Sequence, residues 1–337
     1  MLKEYIDALI LRRNLSAAET EEAFAILTCG RASHAQIGAF LAALEMKKIT
    51  ASELAGAARM MRRRASFIDC GARDVADVVG TGGDRSNSFN ISTTACFVAA
   101  GAGVPMAKHG NRAATSKCGA ADVLAELGVN LDASAATVEY AISEHGVGFL
   151  YAAKMHPVMA QMRIIRKELG IRTIFNMLGP LTNPAGARFQ LIGVYASELT
   201  ELFASALREL GSRRAMVVHG LDGLDEISCC APTRISELRD GGIFTYELIP
   251  EQFTGGESYA PCELAGGDPK LNAQILLDIL SGRKRGAKRA VTLMNAGAVI
   301  YLSGRAGSML DGVRLAAESI DSGAALGKLE ALKEAVK

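Results

Sequence analysis

A glycine-rich segment at residues 80–84, with the sequence GTGGD, has the composition of a phosphate-binding turn. It follows residues 75–79, VADVV, which predict a β-strand, and its three glycines would let backbone amides approach an anion closely. Shortly after it, Asn90 or Ser92 is placed to cap a helix that begins near Ala95, and the first amides of a helix also attract phosphate oxygens. Because short glycine motifs recur by chance, these residues alone indicate an anion site and a structural turn about equally.

A basic loop follows the second predicted strand, residues 104–108. It opens with residues 108–112, KHGNR, and continues with the small and hydroxyl-bearing residues 113–119 before a predicted helix from about Ala120. Charge-assisted hydrogen bonds to phosphate are about twice as strong as neutral ones, so a strand end carrying clustered cations suits a polyphosphate. A solvated surface would explain one such cation but not the whole arrangement.

An acidic pair, Asp225 and Glu226, follows a predicted strand at residues 215–219. Carboxylate oxygens are suitable ligands for a hard cation such as Mg²⁺, which usually keeps waters and substrate phosphates as its other ligands. An isolated acidic pair is more often a solvated loop. The two phosphate-seeking segments upstream favour the metal interpretation.

Arg166 lies on a predicted helix that starts near Pro157, and its guanidinium could offer two parallel donors to a substrate carboxylate. A helix turns about 100° per residue, so Arg163 and Lys167 lie about 60° and about 100° away from the same face. An exposed helix arginine with no ligand is the plainer alternative. If Arg166 faces a ligand, Arg163 and Lys167 therefore need not do so.

The elements that must position these residues fall into two parts. Residues 1–65 carry apolar residues at helical spacing, whereas from residue 74 onward short β-rich runs alternate with helical ones. We therefore predict an α/β fold with a small N-terminal helical domain, residues 1–70, joined by helices from about 157–185. The larger α/β domain, residues 71–337, would hold a central, mostly parallel sheet flanked by helices. The other predicted strands are residues 189–195 and 215–219. The clearest predicted helices are residues 120–127 and 198–210.

Composition limits the partners. The 337 residues contain 37 Lys and Arg against 36 Asp and Glu, a net charge of +1, so we expect no nucleic-acid partner. The basic run at residues 60–64 has no interleaved aromatics and suits a helix terminus. Seven scattered cysteines without a CxxC pair favour a reducing cytoplasm, and no apolar stretch approaches the ~20 residues of a membrane span. We expect neither a membrane segment nor a signal peptide.

The GTGGD and KHGNR segments together resemble the anthranilate phosphoribosyltransferases, and the resemblance extends along nearly the whole chain. Five further features occur in the family's order: His156–Pro157, Arg166, residues 172–184, residues 219–226 and residues 321–324. The family combines a helical N-terminal domain with a larger α/β domain. The resemblance implies transfer of the 5-phosphoribosyl group from 5-phosphoribosyl 1-diphosphate to the amine of anthranilate, the second step of tryptophan biosynthesis from chorismate. It also implies a homodimer and about two Mg²⁺ per monomer.

Site residues carried over by this resemblance fall into three groups. Lys108, Asn111 and Arg166 would be catalytic, and Gly80, Asn111 and Arg166 would contact anthranilate. Ser92, Asp225 and Glu226 would serve Mg²⁺. The residues implied for the phosphoribosyl donor are Gly80, Gly83, Asp84, Ser88, Asn90, Ile91, Ser92, Thr93, Lys108, His109, Gly110, Asn111, Arg112, Ala113, Ala114, Thr115, Ser116 and Ala120.

Two positions depart from the family pattern: Ala120 and Cys118 stand where Ser is common. Backbone amides could replace the missing hydroxyls, so we expect a weaker donor affinity rather than loss of activity. No general base stands out, and we assign His109 to positioning because a neutral aromatic amine needs little prior deprotonation. Two alternatives remain: a pyrimidine-nucleoside phosphorylase, which the acidic pair and KHGNR disfavour, and a non-catalytic nucleic-acid-binding relative, which the balanced charge disfavours.

Overall fold

The computed structural model describes residues 2–71, 73–113 and 116–337. Four helices open the chain, and three of them begin after a Ser or Thr whose side chain accepts from the amide three residues on. In each case that third residue, Glu19, Gln36 or Glu53, returns a hydrogen bond to the cap, which fixes where the helix starts. The four helices are α1 (Leu2–Ile10), α2 (Ala17–Thr28), α3 (His34–Lys47) and α4 (Ala51–Arg63).

The strands of the described ranges form one seven-stranded sheet in the order β3-β2-β1-β4-β5-β6-β7. Strands β1 to β5 pair in parallel, and β6 and β7 extend one edge in antiparallel pairing. The predicted α/β class with a mostly parallel sheet is confirmed. The strands are β1 (Ala76–Gly80), β2 (Met106–Gly110), β3 (Val147–Tyr151), β4 (Phe189–Gly193), β5 (Arg214–Gly220), β6 (Thr233–Arg239) and β7 (Gly242–Leu248).

Helices cover both faces of this sheet. A buried apolar core joins β1 and β2 to the C-terminal helices, as expected for an α/β domain. The helices in order are α5 (Ile91–Gly101), α6 (Ala120–Glu126), α7 (Ala135–Tyr140), α8 (Ala152–Met155), α9 (Pro157–Leu169), α10 (Phe175–Leu181), α11 (Leu199–Glu209), α12 (Glu251–Thr254), α13 (Pro269–Leu280), α14 (Ala287–Leu302), α15 (Met309–Asp321) and α16 (Ala324–Ala335). Within the described ranges, none of the helices combines the length and apolarity needed to cross a membrane.

The N-terminal bundle packs against the middle of the chain. The ring of Phe24 in α2 lies 5.6 Å from the ring of Phe175 in α10, and one buried apolar cluster contains residues of α1 to α4 together with residues of α9, α10 and α11. Side chains from residues 157–185 therefore help to bury the bundle. The boundary at residue 70 itself stays a prediction.

Strand β2 differs from its predicted position. It begins at Met106 rather than at residue 104 because Pro105 has no amide to donate to the ladder, although its carbonyl accepts from Ala76. The strand then continues to Gly110, pairing Lys108 with Phe149 of β3. Lys108, the last residue of the predicted strand, thus lies inside it, and His109 and Gly110 extend the strand into the predicted loop.

The order of the strands creates a switch point between β1 and β4. From β1 the chain moves outward to β2 and β3 and then returns to the other side of β1 to form β4. Gly80 and Gly193 are paired at the carboxyl ends of these two strands. Crevices at such points are the usual ligand sites of open α/β sheets, because the connections on the two sides diverge there.

Candidate functional site

The glycine-rich turn leaves β1 at the switch point and is fixed by the end of β4. The Thr81 amide donates to the Gly193 carbonyl at 2.9 Å, and the Tyr195 amide donates to Thr81 Oγ1 at 3.1 Å. Gly82 and Gly83 have φ of +67° and +80°, the left-handed region that other residues rarely adopt. The turn is therefore held in one conformation with its backbone open to a ligand.

Arg172 provides another support for this turn. Its Nη2 donates to the Gly83 carbonyl at 2.9 Å, and its guanidinium lies over the Tyr195 ring with Cζ 4.1 Å from the centroid. Arg172 follows α9, the helix that carries Arg166, so it connects that helix to the turn. The sequence analysis included Arg172 in a family segment without giving it a role. Its contact with Gly83 joins segments 89 residues apart, which local spacing cannot reveal.

The acidic pair reaches the same place from the loop after β5. Asp225 Oδ2 accepts from the Gly82 amide at 2.7 Å, and Glu226 Oε1 accepts from the Ser92 amide at 3.1 Å. A Cβ on Gly193 would overlap the Asp225 main-chain oxygen, so glycine is required there for the loop to approach. The structure thus brings together the three residues implied for Mg²⁺.

Electrostatics make this acidic pair a natural cation site. Burial, with the nearby charges of Asp84 and Glu226, raises the pKa of Asp225 well above its ordinary value. Burial likewise raises the pKa of Glu226 to about 7, although Lys108 and Ser92 act to lower it. Carboxylates crowded in this way repel one another, and a bound cation would relieve that repulsion.

The residues present fit Mg²⁺. Asp84 Oδ2 is buried and has no hydrogen-bond partner among the described residues, so it has an unused lone pair close to Asp225. No group of three or more His, Cys, Asp or Glu side chains in the described ranges forms a complete metal site by itself. Mg²⁺ is commonly held by one or two carboxylates together with waters and substrate phosphates, so a site to which the protein supplies only part of the ligands suits this ion.

Asp122 organises the loop between β2 and α6. Its carboxylate accepts from the amides of Ala113 and Gly119 at 2.8 and 2.9 Å and from Arg112 Nη1 at 2.8 Å. The Arg112 guanidinium is therefore already paired, which was not expected for a donor contact. The sequence analysis did not single out Asp122. Ala114 and Thr115, implied as donor contacts, lie outside the described residues.

The start of helix α5 corrects one expectation. Asn90 is the N-cap residue, but its side chain makes no capping bond, and helix α5 begins at Ile91 rather than near Ala95. The side chain instead donates to the Cys118 carbonyl at 3.2 Å and accepts from Asn272 Nδ2 at 2.9 Å. The prediction that the Asn90 side chain could cap this helix was wrong, because its carboxamide is hydrogen-bonded to Cys118 and Asn272 instead. Asn90 thereby connects the basic loop to α13.

Two residues implied for the donor, Ile91 and Thr93, have buried side chains, which leaves their main chain for any contact. Ser92, between them, is partly exposed. Ser88 is also partly exposed and forms an isolated antiparallel bridge with Ala265. Ser116 is exposed at the surface of the basic loop. The structure thus places an accessible hydroxyl in each of three segments around the turn.

The end of the basic loop next to Ala120 is closely packed. Asn111 is exposed, its Oδ1 accepts from the Arg112 amide at 2.8 Å, and its carbonyl accepts from the Ala121 amide at 3.1 Å. A Cβ placed on Gly110 would lie 3.0 Å from the Cβ of Ala120. Ala120 is thus a close neighbour of the strand end, and its side chain has no hydroxyl to offer a ligand.

Lys108 and His109 lie beneath the loop rather than on its surface. Lys108 is 3% exposed, and its Nζ donates to the Val78 carbonyl at 2.6 Å. The His109 ring is also buried, with Nδ1 3.2 Å from the Gly179 carbonyl and its centroid 5.1 Å from that of His156. Burial lowers the pKa of these two histidines to about 3 and about 4, so both rings are neutral near pH 7.

Arg166 is half-buried, and its guanidinium lies over the Phe175 ring with Cζ 5.9 Å from the centroid. Arg163 and Lys167 are exposed, as the helical spacing predicted. No ion pair involves Arg166 in the part of the chain that the structure describes, and burial lowers its pKa. A partly desolvated guanidinium without a carboxylate partner is well suited to a substrate carboxylate.

Two family profiles match the chain. The profile described as glycosyl transferase family, helical bundle domain, matches residues 3–65, and the glycosyl transferase family, a/b domain, matches residues 72–326. Among curated sequences, anthranilate phosphoribosyltransferase of Desulfosudis oleivorans is 52% identical over 337 residues, 100% of this chain and 99% of the relative. That of Syntrophobacter fumaroxidans is 54% identical over 332 residues, 98% of each chain.

Solved structures show the same similarity. The Thermus thermophilus anthranilate phosphoribosyltransferase is 40% identical, with a TM-score of 0.93 over 98% of this chain and 99% of its own. The Saccharomyces cerevisiae enzyme in complex with PRPP and Mg is 32% identical, with a TM-score of 0.90 over 99% and 97%. A complex of that yeast enzyme with 4-fluoroanthranilate is 30% identical, with a TM-score of 0.87 over the same shares.

Proposed function

This chain belongs to the anthranilate phosphoribosyltransferases, and on that premise we propose how its residues divide the work of the reaction. The enzyme is a pentosyltransferase that moves the 5-phosphoribosyl group of 5-phosphoribosyl 1-diphosphate to the amine of anthranilate. The products are N-(5-phosphoribosyl)anthranilate and diphosphate, and the step belongs to tryptophan biosynthesis. The observation that carries the residue assignment is the meeting of the glycine-rich turn with Asp225 and Glu226 at the β1–β4 switch point.

Donor binding is assigned to the surroundings of this turn. The backbone of residues 80–84, the start of α5 and the described part of the basic loop, residues 108–113 and 116, are assigned to one donor site together with Ala120. Amides that need no reorganisation are effective partners for phosphate oxygens. The resemblance-implied donor residues, including the undescribed pair Ala114 and Thr115, stay assigned to this role. The yeast relative with bound PRPP supports the substrate.

Mg²⁺ is assigned to Asp225, Glu226 and Ser92, at about two ions per monomer. When bound, the ion would neutralise charge on the departing diphosphate. The protein's own contribution is to hold the carboxylates: Gly82 and Ser92 amides orient them, and Gly193 leaves room for their loop. Use of Mg²⁺ is supported by the magnesium-containing complex of the yeast relative.

The acceptor is assigned to Gly80, Asn111 and Arg166. Arg166 would pair its guanidinium with the anthranilate carboxylate, and Phe175 beneath it holds that group in place. This leaves the aromatic amine free to attack the anomeric carbon. No proton acceptor is required before attack, which is consistent with the buried neutral His109 acting in positioning.

We assign catalysis to electrostatics rather than to one base. Departure of diphosphate places positive charge on the ribose and negative charge on the leaving group, and fixed charges lower the barrier most where charge develops. Lys108 contributes a positive charge from beneath the loop, while Asn111 and Arg166 orient the acceptor. The protein would act as a homodimer in the cytoplasm, where its seven free cysteines would stay reduced.

The assignment is tested by incubating the purified protein with donor, anthranilate and Mg²⁺ and identifying products by mass spectrometry. The expected result is N-(5-phosphoribosyl)anthranilate with an equal amount of diphosphate, and no product when any one component is omitted. Phosphorolysis of a pyrimidine nucleoside without transfer to anthranilate would instead favour the phosphorylase alternative.

A further inference from the structure

A buried carboxylate, Asp77, lies close to the proposed donor site, three residues before Gly80 in the chain. It is part of β1 and is 0% exposed. Its Oδ1 accepts from the His109 amide at 3.1 Å, and its Oδ2 accepts from Asn183 Nδ2 at 2.8 Å. A carboxylate taken out of water costs free energy unless charges and hydrogen bonds compensate for it. The roles assigned above do not explain why a carboxylate is buried in the sheet at this position.

Lys108 lies on the neighbouring strand and is also buried. Its ammonium donates to the carbonyl of Val78, the residue after Asp77, and its attraction lowers the pKa of Asp77. Burial raises the pKa of Asp77 to about 6, still low enough for the carboxylate to be mostly ionised near pH 7.5. The two side chains thus form reciprocal links across the β1–β2 pair: Asp77 in β1 accepts from the His109 amide in β2, and Lys108 in β2 donates to the Val78 carbonyl in β1.

Burial keeps Asp77 apart from the substrates. It is 0% exposed, and its hydrogen bonds to the His109 amide and to Asn183 are made without any ligand. It is therefore suited to hold the backbone of His109 during the reaction.

Asn183 forms the second half of this support. Its Nδ2 donates to Asp77 and also to the Ala107 carbonyl at 2.8 Å, and its side chain is 1% exposed. The amide thus ties the segment after α10 to both β1 and β2. Through it, the segment after α10, the helix whose Phe175 lies against Arg166, is connected to the strand that leads into the donor loop.

We propose that Asp77 is a positioning residue for donor binding: its carboxylate, held by Asn183, accepts from the His109 amide, and this contact presets the loop 108–113 for the phosphoribosyl donor. This inference rests on the function proposed above and deepens it, because it places a determinant of donor affinity in the sheet, where it touches no substrate.

Asp77→Asn tests the proposal, because the substitution keeps the shape and removes the charge. Donor affinity measured by calorimetry in Mg²⁺ and kcat/KM for the donor are expected to fall about 10- to 100-fold, as for a lost charge-assisted contact. The KM for anthranilate is expected to stay within about twofold, since Arg166 is untouched. Unchanged donor affinity and donor kcat/KM would overturn the proposal.

A buried acid elsewhere in the sheet provides the matched control. Glu237 in β6 is 3% exposed and accepts hydrogen bonds from Tyr246 and Tyr301. Glu237→Gln is expected to lower the melting temperature without a selective loss of donor affinity. If Asp77→Asn behaves in the same way, lowering stability and both substrates' kinetics alike, Asp77 is only structural and the proposal fails.

A second variant keeps the test decisive if Asp77→Asn folds poorly. Asn183→Ala removes the amide that orients the Asp77 carboxylate, so donor affinity is expected to fall while the KM for anthranilate stays within about twofold. Unchanged donor affinity in folded Asn183→Ala would contradict the positioning role. Calorimetric donor binding does not require turnover, so a wild-type protein that binds donor but transfers nothing to anthranilate counts against the proposed function alone.

Discussion

The amide of Gly82 donates a hydrogen bond of 2.7 Å to Oδ2 of Asp225, joining two residues that are 143 positions apart in the chain. Gly82 belongs to the turn after β1, and Asp225 to the loop after β5. The bond holds the glycine-rich turn against the acidic pair before any ligand is present. It is therefore the contact through which the phosphate-binding and metal-binding parts of the site become one crevice.

Gly193→Ala is expected to separate these two parts. The new methyl group would overlap the main-chain oxygen of Asp225, so the loop must shift away from β4. We expect destabilisation of about 1–3 kcal/mol, as for other overpacked sites, together with a weaker Mg²⁺ activation constant. Thermal unfolding and a Mg²⁺ titration of activity measure the two effects.

The matched control for that substitution is Gly327→Ala. Gly327 is exposed within α16, and a Cβ there would meet no atom within 4 Å. Alanine favours a helix by up to about 1 kcal/mol over glycine, so this variant should be as stable as wild type or slightly more stable. A wild-type Mg²⁺ titration for Gly193→Ala would show that the close approach is unimportant.

Asp225→Asn combined with Glu226→Gln is expected to remove Mg²⁺ dependence together with most of the rate. Both substitutions keep size but abolish the charge that a cation requires. We expect kcat to fall by at least about 100-fold, as when an electrostatic contact in the transition state is lost. Asp240→Asn, at a fully exposed turn, should leave the titration unchanged, and an unaltered Mg²⁺ response in the double variant would remove the pair from the metal role.

Arg166→Ala is expected to raise the KM for anthranilate by about 10- to 100-fold, because a charged partner of its carboxylate is lost. The donor KM should change little. Arg163→Ala, an exposed arginine on the same helix, is the control and should match wild type for both substrates. Steady-state kinetics with each substrate varied in turn separate the two. An unaltered acceptor KM in Arg166→Ala would show that this arginine is misassigned.

The buried ring of His156 predicts how stability depends on pH. Burial lowers its pKa to about 4 from an ordinary value near 6.5, so the unfolded chain takes up the proton first as pH falls. The contribution of the neutral ring to the free energy of unfolding is complete above about pH 6.5. It is lost progressively toward pH 4, at up to about 1.4 kcal/mol per pH unit.

His156→Gln should therefore make the free energy of unfolding less steep in pH over this interval. Denaturant unfolding at several pH values between about 7 and 4.5 measures the slope. Comparing slopes removes the opposing contribution of Asp77, which is present in both proteins. His34→Gln, at an exposed site, should keep the wild-type slope, and equal slopes for His156→Gln and wild type would show that His156 is not buried as a neutral ring.

The sequence was sufficient for the parts of the fold that rest on local pattern. Strands β1, β2, β4 and β5 were predicted within a few residues, because each is a short apolar run next to a turn signal. Strand β3 was not predicted, since its apolar residues merge with those of the preceding helical segment. Strands β6 and β7 carry many polar residues at the antiparallel edge and gave no clear pattern.

The candidate site was predictable as a set of motifs but not as a set of contacts. Family resemblance singled out Ser92, Asp225 and Glu226, and the structure brings them together. The side-chain roles of Asn90, Asp122 and Arg172 depend on partners far away in the chain or across a loop, which spacing does not encode. Lys108 was expected where the strand gives way to a ligand-facing loop, whereas pairing with β3 continues to Gly110 and the Lys108 ammonium is buried.

The central claim is that the crevice at the β1–β4 switch point transfers a phosphoribosyl group to anthranilate with the help of Mg²⁺. Anthranilate is fluorescent, so its emission can be followed continuously after the donor is added to the protein. We predict a decrease that requires the donor and Mg²⁺ and is abolished by Asp225→Asn with Glu226→Gln. Stable fluorescence with freshly prepared, folded protein, both substrates and Mg²⁺ would contradict the account.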